Sequence, residues 1–400
     1  MKGHVLIIAD GRSPTALSWI KNVQSLDYKV SLISSFYCKK PEDVAHFHIL
    51  PIAFSRFSAG SGSPKEKDQQ NCLKGFVKRF TPLLQNFRYI LGPLSLLPFR
   101  TRYIQLVEEI APDFVHALRI PFEGMLASYT PEEFPLLAAI WGNDLTLHAK
   151  GSWLMAKFTK RCLSRANGLT SDTERDIRLA RNLGLKQKAP VLTVPGSGGI
   201  DLNAIENSAD FNNRFGIPKD SLWIVNPRGL RPGSIHQDVF FKSIPQILSK
   251  QPNTCFICPN LKGQPQAHAW VEQFNIKDKT FLLPKLPQSE LWGLFKQSVL
   301  FISPSSHDGT PNTLLEAMAC GCVPILGDIE SLREWIDNGK NGLLVDPRDP
   351  NALAQAVIDA LNKPGFLEKA AQINKDLVKM RASQKETLHN IDSFYARFMS

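Results

Sequence analysis

The 400-residue sequence contains no stretch of about 18 apolar residues, which excludes a membrane-spanning helix on hydropathy alone. Its opening apolar run is broken by Asp10, unlike a secretory leader. Cysteine is sparse and odd in number, seven in all, at Cys38, Cys72, Cys162, Cys255, Cys258, Cys320 and Cys322, and nothing resembles a disulfide framework. Cys255 and Cys258 have metal-ligand spacing, but the apolar run around them reads as a strand, where residues three apart point to opposite faces, so both read as core. No Asp-x-Asp occurs and no His or acid cluster has metal spacing, so neither a metal nor any other cofactor is expected. The first candidate ligand loop lacks a G-x-G-x-x-G pattern, which argues against a dinucleotide. Helix-turn-helix, zinc-finger and aromatic ribonucleoprotein patterns are also missing, which disfavours nucleic acid as a partner. A cytoplasmic protein, attached to a membrane at most peripherally at its inner face, is the expectation.

Size and charge narrow the reading further. With 43% hydrophobic residues, 400 residues allow two domains, each with its own core. The net charge of +10 is carried entirely by the first half: residues 1–200 hold 26 Lys and Arg against 16 Asp and Glu, and residues 201–400 hold 21 of each. An anionic membrane surface or an anionic acceptor suits such a basic half.

Along the chain, His4 to Ala9 reads as a strand, followed by the loop Asp10–Thr15, a helix with Leu17, Ile20, Val23 and Leu26 on one face, and a strand from Val30 to Ile33. This is the start of a parallel, alternating β/α domain. Residues 55–71 are polar and rich in Gly and Ser, which predicts a mobile loop. Residues 73–102 carry apolar residues at helical spacing together with Lys74, Lys78, Arg79 and Arg88. Such a segment can lie on an anionic bilayer surface or pack on the sheet as an ordinary amphipathic helix. Phe114–Ala117 and Leu137–Trp141 read as further strands, and polar residues just after parallel strands occupy the ligand-binding edge, which makes His116 and Asp144 cleft candidates. After Val191–Val194 the run Pro195-Gly196-Ser197-Gly198-Gly199 reads as a hinge, dividing the chain into residues 1–198 and 199–379.

The most informative stretch runs from Phe301 to Pro347. The apolar run Val299–Ser303 stops at Pro304 and a polar loop follows. Asn312 or Thr313 can cap a helix rich in good helix formers that ends at Gly321. A polar, Gly-containing loop thus delivers unpaired N–H groups at a helix N-terminus, where an anion gains about 0.3 to 2 kcal/mol. Asp308 and Glu316 frame this place with seven residues between them. Carboxylates beside a phosphate site accept hydrogen bonds from hydroxyls, each contributing roughly 1.5 to 3 kcal/mol. A phosphate flanked by hydroxyls describes a sugar nucleotide.

Asp308-x7-Glu316, followed by Ala317-Met318-Ala319-x-Gly321, Glu334 and Asn338-Gly339-x-Asn341-Gly342-Leu343-Leu344-Val345, resembles the donor site of family 4 glycosyltransferases, whose pattern begins with Glu where this chain has Asp308. The resemblance implies an α/β protein of the GT-B fold, two Rossmann-like domains facing an interdomain cleft, with a C-terminal helix of about residues 380–400 returning to the first. It implies a retaining transfer of sugar from a nucleotide-sugar donor to a hydroxyl of a glycan or glycolipid acceptor in cell-envelope biosynthesis, expected to be metal-independent because no Asp-x-Asp or metal-spaced cluster occurs. By the same resemblance Asp308 meets the donor sugar, the backbone of Gly309, Thr310, Pro311, Asn312, Thr313 and Leu314 holds sugar and phosphate, Glu316 takes both ribose hydroxyls, and Leu286 neighbours the base. Arg228 matches a diphosphate-binding arginine, whereas the lysine expected five residues later is Gly233, and Arg231 is the candidate replacement. Arg228, Arg231, Asp308 and His116 are the catalytic candidates; Gly11, Arg12 and Asp144 are the acceptor-side candidates. Trp141 stands where members often carry His. A non-catalytic sugar-nucleotide-binding subunit and a sugar-nucleotide epimerase of the same fold are the alternatives.

Overall fold

The structure, a computed structural model, describes residues 1–53, 81–207, 215–218 and 220–399, with side chains described for all of these except 81–87. The polar run 55–71 and the first part of segment 73–102 lie outside the described residues. The chain forms two compact units, Met1–Gly198 with Leu388–Ser400, and Gly199–Thr387.

Unit 1 is built on β1 (Gly3–Ala9), α1 (Pro14–Ser25), β2 (Tyr28–Ser34), β3 (Phe47–Ile49), α2 (Thr81–Leu94), β4 (Phe114–Ala117), β5 (Leu136–Ile140), α3 (Trp153–Arg165), β6 (Gly168–Ser171) and β7 (Val191–Thr193). All seven strands pair in parallel, in the order β3-β2-β1-β4-β5-β6-β7. A parallel sheet is covered on both faces, which is why its strands are continuous apolar runs. In β1, Leu6 and Ile8 pack in one cluster with Tyr103 and Leu106, while Val5, Ile7 and Ala9 pack in another with Trp19 and Ile20 of α1. The start of α1 is set by Ser13, whose Oγ accepts from Ala16 N, and by Pro14 in its first turn.

Unit 2 contains β8 (Leu222–Val225), β9 (Thr254–Cys258), β10 (Thr280–Leu282), α4 (Gln288–Gln297), β11 (Leu300–Ser303), α5 (Asn312–Cys320), β12 (Val323–Gly327), β13 (Leu343–Val345), α6 (Phe366–Ala382) and α7 (Gln384–Tyr395). Its strand order is β10-β9-β8-β11-β12-β13, again all parallel. Cys255 and Cys258 are buried in separate clusters on the two sides of this sheet. In both units the winding direction reverses once, between β1 and β4 and between β8 and β11. Loops leaving the carboxyl ends of those strands diverge there and open a crevice, the usual ligand position in such sheets.

The chain returns to unit 1 within α7, where Ile391, Phe394 and Tyr395 enter the cluster of Trp19, Val23 and Phe114. This return removes one catalytic candidate. His116 lies in the middle of β4, fully buried, not in a loop at its end. Its Nδ1 is 2.7 Å from Tyr395 Oη and its Nε2 is 3.3 Å from Thr170 Oγ1, while Trp19 Nε1 donates to the same Tyr395 oxygen at 3.0 Å. Burial lowers the His116 pKa to about 3. The ring is therefore neutral, accepts at Nδ1 from the phenol and donates at Nε2, and His116 is a core anchor for the tail helix.

Replacing Tyr395 with Phe strands the Trp19 N–H and His116 Nδ1 in the core, so Tyr395→Phe is expected to destabilise the protein by about 1 to 3 kcal/mol in urea unfolding. An unchanged unfolding midpoint would show that the phenol anchors nothing.

Candidate functional site

At the reversal of unit 2, the loop after β8 carries Arg228 and the loop after β11 carries Asp308. Arg228 is buried, with Nη2 donating to Asp308 Oδ2 at 2.5 Å and Nη1 to Thr313 Oγ1 at 3.0 Å. Its Nε is buried without a hydrogen-bond partner among the described residues. Desolvation lowers the Arg228 pKa, and Asp308 opposes that fall. The loop is pinned from behind by Asn226, which accepts from Arg228 N at 3.3 Å and donates to Gln237 Oε1 at 2.8 Å; Gln237 Nε2 in turn donates to Gly229 O at 2.8 Å. Arg231 is exposed on the same loop. Gly233 has φ +80°, a left-handed conformation that a lysine would adopt only with strain, so the loop's path and the absence of a lysine there agree.

The loop after β11 is held by Ser331 Oγ donating to Asp308 O at 2.8 Å and by Trp335 Nε1 donating to Thr310 Oγ1 at 2.9 Å. Gly309 N donates to Asp308 Oδ1 at 3.1 Å. Helix α5 then starts differently from the sequence reading: its N-cap is Pro311, with no side-chain cap hydrogen bond, and neither Asn312 nor Thr313 takes that role. The reason is local, since the Thr313 hydroxyl is engaged by Arg228. Pro311 O accepts instead from Leu314 N at 2.9 Å.

Glu316 sits one turn into α5, buried, and its Oε1 accepts from Gln288 Nε2 of α4 at 2.7 Å. Burial pushes its pKa up to about 7, against the opposing pull of Gln288 and Trp292. Gln288 was not visible as a site residue in the sequence, although it lies two residues beyond Leu286. The Leu286 and Leu314 side chains are both buried in the core cluster that also holds Trp292.

Unit 1 has its own cavity at the reversal between β1 and β4, about 400 Å³ in volume, with Arg12, Arg88, Tyr89, Arg119, Glu123 and His148 among its lining residues. Arg12 donates from Nε and Nη2 to the two Asp10 oxygens, each at 3.0 Å, and its guanidinium lies 3.6 Å from the Phe36 ring centroid. Gly11 does not line the cavity: it is buried, with its N–H on Ser34 Oγ at 3.1 Å. Asp144 likewise lies behind the wall. Fully buried, it accepts from Arg119 Nε at 2.9 Å, Ile120 N at 3.2 Å and Trp141 N at 3.3 Å, and so positions Arg119 without facing a ligand itself. Burial raises the Asp144 pKa, and Arg119 with the two amides opposes the rise.

Glu123 is buried with Oε1 accepting from Ser35 Oγ at 2.5 Å, and burial raises its pKa. Tyr89 Oη and His148 Nδ1 are 2.8 Å apart, and His148 is lowered to about 3 by burial and by Arg119 and Arg88. The backbone here is strained: Arg119 has φ +146°, and Phe122 has φ +68° with ψ −55°. Outliers of that kind cost about 1 to 3 kcal/mol each and cluster at functional sites. Arg119 and Glu123 belong to no sequence motif, and their only signal is their position in the turn after the strand Phe114–Ala117; Arg88 stands out in sequence only as one cation of the amphipathic segment 73–102. Among the described residues no group of three or more His, Cys, Asp or Glu could hold a metal ion.

Comparison with known proteins agrees with both halves of this arrangement. The family model described as "Glycosyl transferases group 1" matches residues 213–377, and the one described as "Glycosyl transferase 4-like" matches residues 4–173. A D-inositol 3-phosphate glycosyltransferase of Thermobispora bispora is 24% identical over 181 residues, covering 42% of this chain and 42% of that protein. The chain thus spans less than half the length of that curated relative. Among solved structures, sucrose-phosphate synthase from Thermosynechococcus elongatus superposes with a TM-score of 0.73 at 14% identity, covering 98% of each chain. Alr3699/HepE of Anabaena, solved in complex with UDP, superposes with a TM-score of 0.73 at 12% identity, covering 98% of this chain and 100% of that one. The two parallel sheets, the matched halves and the shared architecture make this chain a member of the group 1, family 4-like glycosyltransferases with the GT-B fold.

Proposed function

We propose that the protein is a retaining glycosyltransferase that moves a sugar from a nucleotide-diphosphate sugar to a hydroxyl of a glycan or glycolipid acceptor in cell-envelope biosynthesis. The observation that carries the reading is the joint placement of Arg228, Asp308, Thr313 and Glu316 around the start of α5. A diphosphate there meets a helix N-terminus and a buried guanidinium, while ribose hydroxyls meet Glu316. The donor's C1–O bond to phosphate breaks with its electron pair going to the leaving diphosphate. Arg228 and Arg231 stabilise that charge without a bound metal. The acceptor hydroxyl oxygen bonds to C1 on the face the diphosphate leaves, and its proton passes to a departing phosphate oxygen. Asp308, now bonded to Arg228, orients the donor sugar through its hydroxyls. The unit 1 cavity takes the acceptor.

Calorimetric titration with a panel of nucleoside diphosphates and their sugars, without added metal, tests this. One base is expected to bind in the micromolar range, and Glu316→Ala is expected to weaken it by about 2 to 4 kcal/mol, the loss of two charge-assisted bonds. If no nucleotide binds, or if the variant binds as tightly as the wild type, the donor-site reading fails. Sugar transfer with the same donor separates an enzyme from a non-catalytic binding subunit.

Affinity should also depend on pH. Glu316 has a pKa raised to about 7 from an ordinary 4.5, so the empty site is largely protonated below pH 7, and only the carboxylate accepts from two hydroxyls. Binding of the nucleotide sugar is therefore expected to release a proton below pH 7 and to weaken toward pH 6, by up to about tenfold per pH unit. Above pH 8 it should level off. A flat profile between pH 6 and 8 would mean that Glu316 does not bind in its ionised form.

No helix of the described residues is long and apolar enough to cross a membrane. We place the protein in the cytoplasm with peripheral contact at an anionic membrane face. Support comes from exposed Ile90, Leu94, Leu97 and Trp153 on α2, just beyond it, and on α3, with the excess positive charge of the first half. The protein is expected to pellet with phosphatidylglycerol vesicles and not with phosphatidylcholine vesicles, and Leu94→Glu with Trp153→Glu should abolish pelleting. Equal behaviour with both lipids would dismiss this attachment.

A further inference from the structure

We propose that the cavity of unit 1 holds an oxyanion group, phosphate or carboxylate, carried by the acceptor, with Arg88 as its principal ligand and the Nη atoms of Arg119 as the second. This deepens the acceptor assignment of that cavity and rests on it.

The argument is a charge inventory. Three guanidinium groups line the cavity. Arg12 is neutralised by Asp10 through two bonds of 3.0 Å. Arg119 is neutralised by buried Asp144, but only its Nε is spent there, and among the described residues both of its terminal nitrogens remain unbonded. Glu123 faces the same space, yet it is buried, its Oε1 accepts from Ser35, and it makes no ion pair with any of the three guanidinium groups among the described residues. Arg88 is left over: among the described residues no carboxylate makes an ion pair or hydrogen bond with it, Glu123 acting on it only at longer range, and its guanidinium sits 4.9 Å from the Phe122 ring centroid.

That position is built, and at a cost. Phe122 is one of the two residues in the strained turn after β4. A Cβ at Gly92 would lie 2.5 Å from the Phe122 ring, so only glycine lets α2 come this close. A strained turn and a glycine contact together fix the ring under Arg88 and aim an unpaired, always-charged fork at the cavity. Guanidinium forks bind planar oxyanions with two parallel bonds, which an ammonium or a neutral donor cannot do. Asp10 and Glu123 add hydroxyl-accepting oxygens on the same wall. The acceptor chemistry that fits is a polyhydroxylated compound with one anionic group.

The test is calorimetry on the full chain, with the donor site filled by the nucleoside diphosphate that binds in the panel. The probes are D-glucose 6-phosphate, D-glucuronate and D-glucose. At least one charged probe is expected to bind about tenfold or more tightly than glucose and to weaken with added salt, as expected for hydrogen bonds to charged groups. Which of the two binds better separates a phosphate from a carboxylate acceptor. Arg88→Gln should remove the preference, Arg88→Lys should restore part of it, and both should bind the nucleotide as the wild type does. Charged probes no tighter than glucose, or an unchanged preference in Arg88→Gln, overturn the proposal. Nucleotide binding is read in a separate titration, so loss of the donor site and loss of this subsite are distinct outcomes. If no nucleotide binds, the difference between wild type and Arg88→Gln in its absence still decides the subsite.

Discussion

A buried arginine–aspartate pair at the point where the sheet reverses is the interaction on which the candidate donor site depends. Arg228 comes from the loop after β8 and Asp308 from the loop after β11, and their contact ties together two strands that are neighbours in the sheet but 75 residues apart at their closest ends, Val225 and Leu300. Breaking such a pair leaves one charge buried without its partner, at about 3 to 5 kcal/mol. The residues around it are arranged to keep it dry and fixed: Asn226 and Gln237 brace one loop, and Ser331 and Trp335 brace the other. The first turn of α5 is drawn into the same network, because Thr313 bonds Arg228 and leaves the helix start uncapped by any side chain.

Unit 1 solves the same problem with different residues. Asp144 after β5 grips Arg119 after β4 and two backbone amides, and this holds a turn that would otherwise relax. The two pairs differ in what they leave available. In unit 2 the aspartate is partly exposed and faces the crevice, whereas in unit 1 it is fully buried and the arginine faces the cavity. One crevice therefore offers a carboxylate beside a helix N-terminus. The other offers cationic forks.

How much of this was legible beforehand differs between the units. The spacing of Asp308 and Glu316 on a strand-loop-helix unit is local, so the loop and helix they frame could be read directly, and the family resemblance supplied the arginine at 228. Side-chain partners were not legible. Thr313 reads as a helix cap and is an arginine ligand, and Gln288, which no sequence motif marks, holds Glu316. His116 reads as a cleft residue in sequence because a strand end and a strand centre look alike in a run of four apolar neighbours, and the structure buries it within β4. Its partner Tyr395 lies 279 residues away.

The amino-acid sequence alone determined the alternation of apolar strands and amphipathic helices, the two-domain division and the strand-loop-helix unit framed by Asp308 and Glu316, because each of these depends on periodicity or spacing within some 10 to 50 neighbouring residues. Only the tertiary structure decided which charged residues share a crevice. Arg12, Arg88, and Arg119 with Glu123 come from three separate stretches of the chain, and they meet at one cavity because the reversal of strand order brings the loops after β1 and β4 together beneath α2. Long-range pairing of that kind leaves no local pattern. It follows from the way a parallel sheet must wind to cover both of its faces.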